Sequence, residues 1–390
     1  MISESRRPSA PAFWVFAAVI AFLTATSARA GAARTYVWIE AEEYVSCSPE
    51  LSVSPAPATS GGKTLGGQGI AAGEVPDGGY TVKYRFDIAD AGAYDFWLRI
   101  GFNEARPPVE WRVDGGEWRR MSPEDWVTNL MQIYEFNTIG WDKEESVELN
   151  VGEHELELRC TEATGKRFLL RLDAMCFVKG RWVPETYLKP GESYDEPADR
   201  EAREKVYELP AGKASEARPS VELSGPWQIA RYDDPDMDEA PYEPIRALPE
   251  PEEYPLRWMG IEAPGNYFEA REEVALAHRV FYRTRVRVPR EFDGRGFKLH
   301  FAGTNWIVSV FVNGRFVGDH TSVLVPWDLD VSRHIKPGQV NRITIGVKSS
   351  WYGFDTEKVG QPLKVLRDRP TSGQHFRYLW WVDAIYHSSK

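Results

Sequence analysis

The sequence predicts an all-β protein: two β-sandwich, jelly-roll-like domains in tandem after a signal peptide. Three observations predict it. Short runs alternate apolar and polar residues, the period-two pattern of a half-buried strand. Turn residues punctuate these runs at short intervals, and no long amphipathic helix interrupts them. Aromatic residues are abundant, with 15 Trp, 17 Tyr and 18 Phe, which suits broad pleated faces where such rings pack well.

The elements follow in order. Residues 1–30, "MISESRRPSAPAFWVFAAVIAFLTATSARA", join a positive start at Arg6 and Arg7 to an apolar run from Ala12 to Leu23 and a small-x-small end at Ala28-Arg29-Ala30. That is the layout of a secretory signal peptide cleaved near Ala30; an uncleaved anchor is the other reading. The run is shorter than the roughly 20 residues of a stable membrane span. The expected location is secreted or periplasmic. What remains, roughly 360 residues, suffices for two or three domains.

A first sandwich is expected over 36–180, from "VWIEAEEYVSC" through "TVKYRFDI", "AYDFWLRI", "VEWRVDG", "SVELNV" and "HELELRC" to "FLLRLDAMCFV". Residues 184–219 are rich in charge and proline and lack apolar period. Such a composition does not build a core, so this segment reads as a linker, with one helical turn or two in "DEPADREAREKVYEL". A second sandwich is expected over 221–390, with "VFYRTRVRV", "GFKLHFAG", "WIVSVFVNG", "RITIGVK" and "DAIYHS" as strands. Within it "VFVNGRFVGDHT" reads as a hairpin turning at Asn313-Gly314, where both residues tolerate positive φ. Trp327, Leu329 and Val331 alternate into a turn at Pro337-Gly338. Trp97, Trp111, Trp306 and Phe311 fall in alternating runs and are expected in the cores.

Composition bounds the function. The net charge is -11 and no Lys/Arg cluster stands out, which argues against a nucleic-acid partner. Cys47, Cys160 and Cys176 permit at most one disulfide, not a stapled fold. The chain has no H-E-x-x-H, no paired C-x-x-C, no phosphate-binding glycine loop and no G-x-S-x-G elbow.

Two groups of residues carry candidate chemistry. Glu40 and Glu42, two apart in an expected strand, share a face, and neighbouring carboxylates repel unless a cation or protons lie between them. Asp173 sits on a late apolar strand. If the first and last strands are neighbours, three carboxylates meet, a hard oxygen set that suits calcium; a solvent-facing pair on an edge strand is the alternative. The second group is aromatic. Tyr80 follows a Gly-Gly turn, and Trp118, Trp126 and Trp141 lie in or beside loops. Aromatic rings offer sugars flat apolar faces with polar edges. Trp141, in "NTIGWDKEES", is the foremost candidate, and packing is the competing role for each.

The residues "IEAEEY", "DGGYTVKYRFDIADAGAYDFWLRIG", "VEWRVDGGEW", "SVELNVGEHELELRC" and "LDAMCFV" resemble carbohydrate-binding modules of families six and thirty-five, over about residues 36–180. The resemblance implies a structural calcium ion held by Glu40, Glu42 and Asp173, and a glycan bound by loop aromatics. Residues 221–389, with "VELSGPWQIA", "HRVFYRTRVRVP", "FKLHFAGTNWIVSVFVNGRFVGDH" and "WDLDVSRHIKPGQVN", resemble the N-terminal sugar-binding jelly-roll domain of glycoside hydrolase family two, which includes β-galactosidases, β-glucuronidases and β-mannosidases. Residues 233–256 form an insertion without counterpart. Phe281-Tyr282 stands where the family has Trp-Tyr, and "TSVLVPW" where it has Gly-Gly-Tyr. This resemblance implies a poly- or oligosaccharide partner. It also implies a catalytic barrel, from the same gene or a neighbouring one, to carry the two carboxylates that glycoside hydrolysis needs. No residue of this chain is expected to be catalytic. Two functions follow. One is the carbohydrate-binding N-terminal portion of a secreted family-two glycoside hydrolase acting in polysaccharide breakdown. The other is a complete, non-catalytic, two-module glycan-binding protein.

Overall fold

Alternation along the chain becomes two layered β domains in the computed structural model. It describes residues 36–348, apart from 67–69, 76–78, 102–107, 122–126, 135–136, 164–166, 169, 212–218, 233–242, 276, 278, 306 and 323–324. In the first domain, the larger sheet runs in the order Val127–Tyr134, Asn137–Leu149, Gly92–Gly101, Arg171–Val178, Lys63–Gly66, Val53–Pro55, and Tyr36–Glu40 also pairs with Arg171–Val178. The facing sheet runs Ser46–Ser48, Tyr80–Ile88, Gly152–Cys160, Val109–Val113, Arg119–Met121. Even-numbered positions of Tyr80–Ile88 and Gly152–Cys160 point inward and join Tyr94, Phe96, Leu98, Trp111 and Phe177 in one core. The first and last strands of this domain are neighbours, with Glu40 opposite Ala174.

In the second domain, the large sheet runs Met259–Ala263, Gly225–Arg231, Arg279–Arg287, Val340–Lys348, Ile307–Val312, Arg315–Thr321, while Lys298–Phe301 pairs with Trp327–Asp330 in a separate ribbon. The Asn313-Gly314 hairpin forms as expected, with φ of 53° and 82° and Val312 opposite Arg315. Positive φ at both central residues matches the right-handed twist of the flanking strands. The Asn313 side chain also donates to the carbonyl of His334 and accepts from the Arg342 N–H, so the turn is tied to the next one. Phe311 is buried, as are Trp97 and Trp111; Trp306 and the expected strand "DAIYHS" lie outside the described residues.

The segment expected to be a linker is built differently from its composition. Trp182, just before it, and Glu185, Thr186, Leu188, Tyr194, Asp199, Ala202 and Tyr207 within it are all buried. Trp182 packs on the outer face of the first domain's large sheet, edge-on to Trp97 and Trp141. Leu188, Tyr194 and Tyr207 belong to the second domain's core. The helical turns form as Pro197–Glu204, opened by a reciprocal cap between Glu196 and Asp199. Asp199 also accepts from the Gly260 N–H at 2.6 Å. Gly260 is needed there, because a Cβ would lie 2.3 Å from the carbonyl oxygen of Ala198. Arg231, buried, reaches across and donates to the carbonyls of Leu130 and Glu273. The segment is therefore an ordered strap between the two sandwiches, not a free tether.

The cysteines at 47, 160 and 176 are all free thiols. Burial pushes the Cys160 thiol up to about 11 and also raises that of Cys176, so neither is reactive near neutrality. Among the described residues no helix is long and apolar enough to cross a membrane; residues 1–30 lie outside them.

Candidate functional site

The first site is the carboxylate group. The strand Tyr36–Glu40 ends at Glu40, and the chain turns through Ala41 and Glu42, with the Glu43 N–H bonded to the Glu40 carbonyl. Glu40 and Glu42 therefore do not share a strand face, a correction to the expected strand. They meet nonetheless above the turn Ser60–Gly62. A Cβ placed at Gly61 would stand 3.0 Å from Glu42 Oε1 and 3.9 Å from Glu40 Oε2. Asp173 sits where the register slips between Leu172 and Ala174, and such a bulge re-aims a side chain. Its carboxylate accepts from Arg99, and the nearby Ser60 backbone helps to hold it charged. Both Asp173 and Arg99 are fully buried. Burial pushes the Asp173 carboxyl up to about 6, a rise only partly offset by the Arg99 guanidinium.

Three oxygens of this group, Glu40 Oε2, Glu42 Oε2 and Asp173 Oδ1, are buried and have no hydrogen-bond partner. Buried polar atoms are nearly always satisfied, so these three stand out. Among the described residues no group of three or more His, Cys, Asp and Glu side chains is placed to hold a metal ion. The orphaned atoms are all hard carboxylate oxygens, the donor type that calcium takes. As the chain stands, Asp173 is paired with Arg99, while Lys189 lies 3.5 Å from Glu40 and Lys63 lies 3.9 Å from Glu42.

The aromatic candidates separate. Trp141 lies within the strand Asn137–Leu149, not in a loop, and is 0% exposed. Its Nε1 donates to the Thr186 carbonyl at 2.7 Å. The rings of Trp38 and Trp182 close on it at 5.3 and 5.1 Å. A ring so enclosed has no face for a sugar, so Trp141 is corrected from glycan contact to interior strut. Tyr80 is corrected likewise: it points into the core, 1% exposed, beside Cys160. Trp126 lies outside the described residues.

Trp118 remains. It sits in the loop between Val113 and Arg119 and is half-buried. Its ring lies against two guanidinium groups, Arg159 at 3.9 Å and Arg112 at 4.3 Å. Both arginines stand on the outer face of the five-stranded sheet. Arg112 is paired with Glu157, which also holds Lys83, and Arg159 is paired with Glu110. Cation–π contacts at partly exposed sites contribute about 0.5–1 kcal/mol each. The ring is therefore held in place on a polar ladder. Sequence reasoning named Trp118 but not this ladder; the signal was the outward parity of Glu110, Arg112, Glu157 and Arg159.

Residues 266–378 match the family model described as glycosyl hydrolase 2 galactose-binding domain-like. The second sandwich is similar to that family over this segment. A β-galactosidase of Thermoanaerobacter pseudethanolicus is 31% identical over 87 residues, covering 22% of this chain and 11% of that protein. A β-glucuronidase of Paenibacillus borealis is 29% identical over 92 residues, 23% of this chain and 15% of that protein. Among solved structures, Faecalibacterium prausnitzii β-glucuronidase aligns with a TM-score of 0.27 and 22% identity, over 35% of this chain and 22% of that one. An exo-β-1,3-galactanase from Phanerochaete chrysosporium aligns with a TM-score of 0.26 and 16% identity, over 37% of this chain and 29% of that one. The matched part thus spans a small fraction of each curated relative's length.

Proposed function

We propose that this chain is the carbohydrate-recognition portion of a secreted glycoside hydrolase of the family-two kind, acting in polysaccharide breakdown. In this reading the first sandwich holds a poly- or oligosaccharide on the face around Trp118. The second is the domain that stands beside a catalytic barrel, and the barrel supplies the acid and the nucleophile. The observation that carries the reading is the family match over residues 266–378 on the second sandwich. The buried strap supports it, because a glycan held by the first domain would be presented at a fixed place relative to the second. The test is native affinity electrophoresis of the whole chain against a panel of plant and algal polysaccharides. At least one polymer is expected to slow migration. If every polymer leaves the mobility unchanged, the recognition role has no support.

The same reading gives calcium a structural part at Glu40, Glu42 and Asp173, as a charge that satisfies their orphaned oxygens. An ion that binds only the folded state stabilises it by mass action, by about 2.7 kcal/mol at a hundred times its Kd. Melting in calcium is therefore expected at a higher temperature than in chelator, and Glu42→Gln is expected to abolish the difference. Equal melting temperatures in the two conditions would remove calcium from the account.

A further inference from the structure

One face of the second domain's large sheet gathers charges of a single sign. Along the strand Arg279–Arg287, Val280, Tyr282 and Val286 turn to the core, and Arg283 and Arg285 take the opposite face. Arg285 stands directly across from Arg342 on the strand Val340–Lys348, which puts Arg283 diagonal to Arg342. Directly opposed Cβ atoms lie about 4.5–5.5 Å apart, and like charges so placed destabilise a sheet. Arg283 and Arg285 are half-buried and Arg342 is exposed. Among the described residues no Asp or Glu pairs with any of the three. Their contacts are with neutral groups. Arg283 Nε donates to Gln228 Oε1 at 2.9 Å, and its guanidinium lies 3.8 Å from the centre of the Trp258 ring. Arg285 donates to the Arg203 carbonyl in the last turn of the helix Pro197–Glu204. Burial lowers the Arg283 guanidinium to about 10, and Arg342, Arg285 and Arg203 push it the same way. On the first domain, by contrast, Arg112 and Arg159 each meet a glutamate.

Resting on the carbohydrate-recognition reading above, we infer that Arg283, Arg285 and Arg342 form a binding site for an acidic saccharide, taking the carboxylate of a uronate or the sulfate of a sulfate ester. The planar fork of a guanidinium matches either oxyanion with two parallel N–H donors. Trp258 and Gln228 hold the Arg283 fork in place by its face and its Nε, and among the described residues its Nη1 and Nη2 have no acceptor. An anion seated between the three cations replaces their mutual repulsion with attraction. The net charge of -11 on the whole chain disfavours a dense polyanion such as nucleic acid. A polymer whose acid groups are spaced along neutral rings suits both the local arginines and that overall charge.

The test is affinity electrophoresis of the whole chain, each mobility being referred to a polymer-free gel. The polysaccharide panel includes uronate-bearing and sulfated members, each run also after carboxyl reduction or desulfation. At least one acidic polymer is expected to slow the wild type, and its neutralised form to slow it less; which acid group is removed identifies the one recognised. Arg342→Gln is expected to weaken binding to the acidic form about tenfold, the scale of one hydrogen bond to a charged group, and to leave binding to the neutralised form unchanged. Arg342→Lys keeps the charge and is expected to keep most of the preference. The preference should fade in about 0.5 M NaCl, where charges are screened within a few ångströms. Arg342 is exposed, and its replacement relieves like-charge crowding, so Arg342→Gln should melt no lower than the wild type. If acidic and neutralised polymers slow the wild type alike, or Arg342→Gln keeps the full preference, the arginine site is overturned and the carbohydrate reading stands. Equal retardation by poly-L-glutamate would overturn the saccharide assignment in favour of an acidic peptide. If no polysaccharide slows the wild type, both readings fall together.

Discussion

Trp141→Ala is expected to lower the stability of the first sandwich by about 3–5 kcal/mol, the usual cost of truncating a buried aromatic. The ring is wholly enclosed, between the sheet of Trp38 and Trp97 and the strap residue Trp182. Its removal leaves a cavity that three neighbouring indoles are too rigid to fill. It also strips the buried Thr186 carbonyl of its donor, which adds the cost of an unmade hydrogen bond. The strap should then become accessible to protease between Trp182 and Tyr194. Urea unfolding gives the first number and limited proteolysis the second. A loss under 1 kcal/mol with an uncut strap would mean that Trp141 does not hold the strap down.

Arg99→Met is expected to cost a similar amount, about 3–5 kcal/mol in chelator, because it leaves Asp173 as a buried carboxylate without its partner. Arg99 and Asp173 are both inaccessible to solvent. The Arg99 Nη2 also reaches the sulfur of Met131 at 3.3 Å, so the methionine side chain replaces some of the packing but none of the charge. Calcium is expected to return part of the loss, since a cation held by Asp173 substitutes for the guanidinium. Unfolding in urea with and without calcium separates the two contributions. An unchanged stability in chelator would show that the pair is dispensable.

These expectations show which parts of the molecule were legible in the sequence. Period-two runs located the strands, because each sheet has one face on a core. The Asn313-Gly314 turn was legible from two residues, because its geometry is local. The pairing of the Glu40 strand with the Asp173 strand followed the expected order, whereas Glu42 lies on a turn instead of along the strand. What stayed hidden was the second burial, on the outer face of the first domain's large sheet. In "NTIGWDKEES" the polar neighbours of Trp141 suggest solvent, yet the ring lies under the strap. The strap itself looks like a tether because its few anchors, Trp182, Thr186, Leu188 and Tyr194, are irregularly spaced among charges. Irregular coil that packs by single residues leaves no period to read. Arg99 was hidden for a related reason: within "FWLRI" nothing marks the buried partner on a bulge 74 positions away.

The most direct measurement of the glycan recognition proposed for the first sandwich is the mobility of Trp118→Ala in a native gel containing whichever polysaccharide slows the wild type most. Trp118 is partly exposed and its truncation leaves the core intact, so the variant should melt close to the wild type. Loss of the ring removes the stacking face while Arg112 and Arg159 stay paired with Glu157 and Glu110. The expected result is a variant that migrates as it does in a polymer-free gel. A folded Trp118→Ala protein retarded as fully as the wild type would contradict recognition at this face.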